Sequence, residues 1–190
     1  MDWKIVLQIV GACLGILYLI LEYKANVWLW VVGMIMPIIH GILYFKSGLY
    51  ADFGMEVYYV LAGVWGLTQW QKHRVETTHA SSSISNTPKR LYLPIVLSII
   101  ALHGLIYLIL VNFTDSTVPF FDALTTALSI VAMWMLSRKY TEQWLVWLLT
   151  DLITVGLYSY KTLYVTAVLY MVYSIMAVIG YRKWRDEVRK

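Results

Sequence analysis

Seven apolar stretches of roughly twenty residues follow one another along this chain, and they leave it few ways to fold: Trp3 to Tyr23, Asn26 to Phe45, Leu49 to Trp70, Leu91 to Val111, Phe121 to Ser137, Thr141 to Tyr160 and Leu163 to Tyr181. As a helix rising about 1.5 Å per residue, a stretch of that length crosses a hydrocarbon layer about 30 Å thick. The chain is 60% hydrophobic and only 14% charged, too little charge to solvate a domain of 190 residues. The expected fold is therefore all-α and integral to a membrane, with seven transmembrane helices. Trp28, Trp30, Trp70, Tyr92, Tyr140 and Trp184 fall near the ends of the stretches, where aromatic belts sit. Gly33, Pro37 and Gly41 predict a kink in the second, and Gly11 and Gly15 give the first a close-packing face. That first stretch reads as a retained helix rather than a cleaved signal.

Basic residues are distributed unevenly. Lys24, Lys72, Arg74, Lys89, Arg90, Arg138, Lys139, Arg182, Lys183, Arg185, Arg189 and Lys190 fall on one side of the alternating spans, against Lys4, Lys46 and Lys161 on the other. The positive-inside bias then places the N-terminus outside and the C-terminus in the cytoplasm. These basic residues sit at span ends, so the net charge of +4 indicates a bilayer and not nucleic acid. The segment QKHRVETTHASSSISNTPKR is Ser- and Thr-rich and reads as a flexible cytoplasmic linker. The short acidic stretch VNFTDSTVPFFDA is expected to cap one mouth of the bundle.

An internal repeat organises the whole. Shifting by 114 residues pairs Trp30 with Trp144, Tyr50 with Tyr164, Tyr59 with Tyr173, Gly66 with Gly180 and Trp70 with Trp184. Spans one to three thus match spans five to seven, with span four as a linker helix. Three spans plus one make both repeats enter from the same side, a parallel 3+1+3 arrangement. The expected segments are 1–70 for the first repeat, 71–90 for the cytoplasmic linker, 91–120 for the linker helix and outer loop, 121–184 for the second repeat, and 185–190 for a basic tail. Parallel repeats are a transporter architecture that binds substrate at the repeat interface near the midplane.

Asp151 stands in the middle of WLVWLLTDLITVGLY, near the expected bilayer centre, and helical spacing puts Trp144, Trp147, Asp151, Val155 and Tyr158 on one stripe. An acid at that depth costs at least about 2.5 kcal/mol and marks a site by default. The alternative is a structural acid bonded to a hydroxyl or indole on a neighbouring helix. Two indoles beside a buried anion suit a cationic or strongly dipolar aromatic ligand. Span three adds Glu56 and Tyr59, with Asp52 closer to the interface, and the repeat places Tyr170 and Tyr173 in the corresponding positions of span seven. Trp30, His40 and Met133 complete the candidate substrate-binding residues. His103 is expected to bond a carbonyl as a core imidazole, and Thr125, Thr126 and Ser129 to bond back to their own helix. Cys13 is the single cysteine, so one chain builds no disulfide or thiolate metal site. Neither a serine with a partner base, nor a His cluster, nor a phosphate loop is present, so neither an enzyme, a metal nor a cofactor is expected. A purely structural protein would need no midplane acid beside two indoles.

The runs NVWLWVVG, YFKSGLYAD and TTALSIVAMWMLSRKYTEQWLVWLLTDLITVGLYSYKTLYVTAVLYMVYSIMAVIGYRKW resemble the PnuC family of vitamin transporters over nearly the whole chain. The distinctive part is the Trp144, Trp147, Asp151 spacing followed by Leu-Tyr-x-Tyr-Lys and Leu-Tyr-x-Thr-Ala-Val-Leu-Tyr. The resemblance implies a SWEET-like 3+1+3 fold in a bacterial-type inner membrane, and uptake by facilitated diffusion with a cytoplasmic kinase trapping the vitamin as its phosphate. It also implies homotrimers in at least some members, and a substrate held by Trp144, Trp147 and Asp151. Met133 stands where a nicotinamide riboside carrier would be expected to present an amide, and Glu56 suits a cation. The substrate expected on these grounds is therefore thiamine, as in the PnuT branch, with nicotinamide riboside or another vitamin or nucleoside as the alternative. The expected mechanism is rocking of one three-helix unit against the other, with Pro37 and its neighbouring glycines as the compliant element. A proton-coupled variant using Asp151 or Glu56 is the alternative mechanism.

Overall fold

The computed structural model describes residues 3–46, 50–76, 84–160, 162 and 164–189. The Ser-rich residues 77–83, Lys161, Leu163 and Lys190 lie outside them, as do the side chains of Tyr50 and Asp52. Among the described residues there are seven α-helices: α1 (Trp3–Tyr23), α2 (Trp28–Lys46), α3 (Tyr50–Glu76), α4 (Tyr92–Phe113), α5 (Pro119–Ser137), α6 (Gln143–Tyr160) and α7 (Tyr164–Val188). All seven expected helices are present. α3 and α7 run past their expected ends at Trp70 and Tyr181, because the apolar pattern stops at the membrane surface while the helical hydrogen bonding continues through good helix formers. α2 is continuous through Pro37.

The chain divides into two compact units, residues 1–81 and 82–190. In the first, α2 packs against both α1 and α3; in the second, α4 packs on α5, α5 on α6 and α6 on α7. The helical stretches Lys89–Phe113 and Pro119–Ser137 combine the length and the mean hydropathy (2.5 and 1.5) needed to cross a membrane. α4 buries none of its residues. Cys13–Tyr23 and Trp28–Ile42 are shorter apolar helical stretches among the described residues.

The same construction occurs in both units. After α1, the Asn26 N–H donates to the Leu21 carbonyl (2.8 Å) and the Ala25 N–H to the Glu22 carbonyl (2.9 Å); after α5, the Tyr140 N–H donates to Met135 (3.1 Å) and the Lys139 N–H to Leu136 (2.9 Å). These are Schellman caps with a left-handed residue at C′, Ala25 at φ 48° and Lys139 at φ 55°. Each member of one cap lies 114 residues from its counterpart in the other. The helix that follows then buries a tryptophan against the next helix but for one glycine. Trp30 meets Trp70 edge-on at 5.7 Å and 89° over Gly66, and Trp144 meets Trp184 at 5.7 Å and 88° over Gly180. A Cβ at position 180 would lie 2.6 Å from the Trp144 ring, so only glycine admits the indole there.

The end of the Ser-rich segment departs from the expectation of a flexible linker over 71–90. Residues 71–76 belong to α3, and residues 84–88 form an ordered strap on the α5–α6 loop. The Ser85 N–H donates to the Lys139 carbonyl (3.1 Å), and the Thr141 N–H to the Ser85 carbonyl (2.9 Å). Both the backbone N–H and the hydroxyl of Thr87 donate to Glu142 Oε2, each at 2.7 Å. Polar composition predicts solvation, but here the backbone groups of the strap find partners on a neighbouring loop. At the other end of this unit, the Ser116 hydroxyl donates to Asp122 in the first turn of α5 (2.6 Å).

Candidate functional site

α6 positions the acid. Trp144, Trp147, Asp151 and Tyr158 recur at helical spacing, and the face they share meets α7. Their fates differ. Trp144 is 1% exposed, its ring committed to Gly180 and Trp184. The ring expected to contact substrate is packed within its own unit in this conformation. Trp30 is spent in the same way in the first unit. Trp147 stays half-buried, with an indole N–H that is shielded from solvent and has no acceptor among the described residues.

Asp151 is 6% exposed, and none of the described residues donates a hydrogen bond to it. The hydroxyls nearest in sequence and across the helix pair are turned elsewhere. Thr150 donates to the Val146 carbonyl (2.9 Å), Thr154 to Thr150 (2.8 Å) and Ser174 to Tyr170 (3.0 Å). The alternative of a structural acid tied to a hydroxyl or indole therefore lacks its bond. A buried polar group without a partner costs about 1–3 kcal/mol, and a charged one more, which a ligand supplying the partner would recover. Tyr173 of α7 lies within electrostatic reach of the carboxylate. Tyr170 meets Tyr173 edge-on (5.5 Å, 65°), and Tyr158 stacks on Tyr170 (5.5 Å, 26°). The acid thus sits at one end of a tyrosine wall. Tyr158 joins the expected Tyr170 and Tyr173 there, and its place two turns after Asp151 on the same stripe is the sequence signal for it.

The first unit holds a different constellation. Glu56 Oε1 lies 3.6 Å from His40 Nδ1, between α3 and α2. Glu56 also borders a cavity of about 390 Å³ with Pro37, Gly41 and Phe53, and Tyr59 packs edge-on against Tyr58 (5.5 Å, 62°). Under the 114-residue shift, Asp151 corresponds to Pro37, Trp147 to Gly33, Thr154 to His40 and Tyr170 to Glu56. The caps and the Trp–Gly–Trp packing repeat, whereas the ionisable positions do not: a symmetric scaffold carries an asymmetric set of charges.

Met133 is half-buried on α5 and offers only a thioether. Thr125, Thr126 and Ser129 bond back to carbonyls of α5, as expected. His103 does not bond a carbonyl through Nδ1: that atom is buried without a partner, and the ring is held by Phe120 (4.7 Å, 77°) and Tyr107 (6.2 Å). Aromatic rings, one edge-on and one stacked, take the place of the expected carbonyl. A cavity of about 440 Å³ between α5 and α6 is lined by apolar and aromatic residues, among them Phe121, Leu152 and Tyr160, and does not include Asp151. In the α5–α6 loop, burial holds the Lys139 ammonium below the usual lysine range. Among the described residues no three His, Cys, Asp or Glu side chains come together as a metal site.

The chain is similar to the nicotinamide riboside transporter PnuC of Escherichia coli K12, with 24% identity over 97% of this chain and 87% of that protein. It is also similar, with 24% identity over 93% of this chain and 83% of the other, to the riboflavin/roseoflavin transporter RibM of Streptomyces davaonensis. Its fold matches the crystal structure of the vitamin B3 transporter PnuC with a TM-score of 0.74 at 21% identity, covering 95% of this chain and 80% of that one. The family model described as nicotinamide mononucleotide transporter matches residues 5–186, so this chain belongs to that family, the PnuC family of membrane transporters.

Proposed function

We propose that this protein carries a cationic aromatic vitamin across the inner membrane, with Asp151 as the counter-charge and nicotinamide riboside as the substrate. The observation that carries this is Asp151 itself: a residue only 6% exposed, with no donor among the described residues and with Tyr173 of α7 within electrostatic reach. A pyridinium ring supplies the missing charge and a flat face for Tyr158, Tyr170, Tyr173 and the Trp147 indole, whose N–H is free to bond a ribose oxygen. The nicotinamide riboside relatives move the substrate away from the thiamine expected from sequence. Thiamine stays as the second reading because Met133 provides no amide for a carboxamide. The riboflavin relative shares the same 24% identity, so identity alone does not separate substrates, and the buried charge argues for a cation over a neutral flavin.

The remaining parts of the proposal are two parallel three-helix repeats joined by α4, a cytoplasmic C-terminus, facilitated diffusion with phosphorylation as the trap, and assembly into trimers. The duplicated caps and tryptophan pairs support the repeat, and the uneven basic residues support the orientation. A thermal-shift panel of nicotinamide riboside, thiamine, riboflavin and neutral nicotinamide tests the substrate. A ligand that binds only the folded state at a hundredfold its Kd stabilises by about 2.7 kcal/mol. Nicotinamide riboside should give the largest shift. A shift from thiamine alone selects the second reading, and an equal shift from riboflavin or nicotinamide refutes the role of Asp151 as counter-charge.

A further inference from the structure

A cavity of about 540 Å³ in the second unit, which Asp151 does not line, lies between the start of α6 and the end of α7. Its floor is apolar: Leu145, Leu148 and Val178. Its rim holds Tyr181, Arg182 and Arg185, together with one acid, Asp186. Arg185 lies 5.8 Å from the centre of the Tyr181 ring, which orients its guanidinium without neutralising it. Among the described residues neither Arg182 nor Arg185 forms an ion pair, whereas the intervening Lys183 is paired with Glu187 at 3.4 Å. The rim therefore presents two uncompensated guanidiniums against one carboxylate.

The floor continues into an apolar surface. Leu149 and Leu152 follow Leu145 along α6, and Ile175, Val172 and Val168 precede Val178 on α7; all are exposed. From Tyr164 to Arg182 the helix rise covers about 27 Å, close to the thickness of the hydrocarbon layer. The arginines thus come at the depth of the lipid phosphates when the apolar surface faces acyl chains. A free anion would have no use for the floor, and a choline headgroup would bring an ammonium against two guanidiniums.

We propose that this groove is a binding site for an anionic phospholipid, its phosphate held by Arg182 and Arg185 and its acyl chains lying along Leu145, Leu148 and Val178. The site is separate from Asp151 and does not depend on the identity of the transported substrate.

Native mass spectrometry of the full-length chain, released from micelles doped with phosphatidylglycerol or phosphatidylcholine, tests it. Each arginine near an anionic headgroup is worth about a fivefold preference, so phosphatidylglycerol should be retained at least about fivefold better than phosphatidylcholine. R182Q/R185Q should abolish that preference, while K89Q/R90Q, which removes the same charge elsewhere in the unit, should keep it. L148W, which fills the floor without altering charge, should also abolish it and decides the question if the arginine variant does not fold. The proposal is overturned if R182Q/R185Q or L148W retains the preference, or if K89Q/R90Q loses as much. It is also overturned if excess inorganic phosphate displaces the lipid, or if the wild type shows no preference and instead associates with a second copy.

Discussion

Exchanging the Asp151 carboxylate for the amide of the same shape, Asp151→Asn, separates a ligand counter-charge from a structural acid. In the structure the carboxylate is buried and receives no donor, so without ligand the substitution removes an uncompensated buried charge, and the stability of the ligand-free protein should not fall. With a cation bound, the wild type makes a charge-assisted interaction worth about 1.5–3 kcal/mol, so the variant should bind the cation about 10- to 150-fold more weakly. Titration calorimetry in nanodiscs with nicotinamide riboside and with its reduced, uncharged form completes a two-by-two cycle in which the coupling isolates the charge. Equal weakening of both ligands would refute the counter-charge. So would a loss of about 3 kcal/mol or more in ligand-free stability, which would indicate that Asp151 holds helices together.

Gly180→Ala should destabilise by about 1–3 kcal/mol through overpacking on Trp144, whereas Gly156→Ala, where an added Cβ meets nothing within 4 Å, should be neutral or stabilising by up to about 1 kcal/mol. Thermal melts of the two variants side by side check this, and equal effects would refute the packing argument. Ala25→Gly should stabilise by about 1 kcal/mol, because its φ of 48° is strained for alanine; a lower melting temperature would contradict the left-handed cap. Glu142→Ala should release the strap over 84–88 and raise amide exchange at Ser85 and Thr87, with no effect on ligand affinity at Asp151; unchanged exchange would show that the two Thr87 bonds do not hold it.

The helices and the candidate acid were readable along the chain because both depend on local order. An apolar run of twenty residues and an ionisable residue in its middle need no knowledge of partners. Spacing puts Trp144 and Asp151 on one stripe, but it assigns a face and not what the facing helix puts there. Gly180 and Trp184 on α7 decided that, although the 114-residue shift had already paired both with Gly66 and Trp70. Tyr158 entered the tyrosine wall for the same reason in reverse, since Tyr170 supplied the ring to stack on.

By itself the sequence determined that this protein is a chain of apolar helices with a duplicated plan and one acid set deep in the sixth. Periodicity, length and an internal shift are properties of a string of residues. Only the tertiary structure decided that the surrounding hydroxyls bond to their own helices and leave Asp151 without a donor, that two tryptophans are consumed in packing, and that a polar segment is strapped to the α5–α6 loop. Hydrogen-bond partners and ring contacts are chosen among groups distant in sequence, and that choice is made when the helices meet.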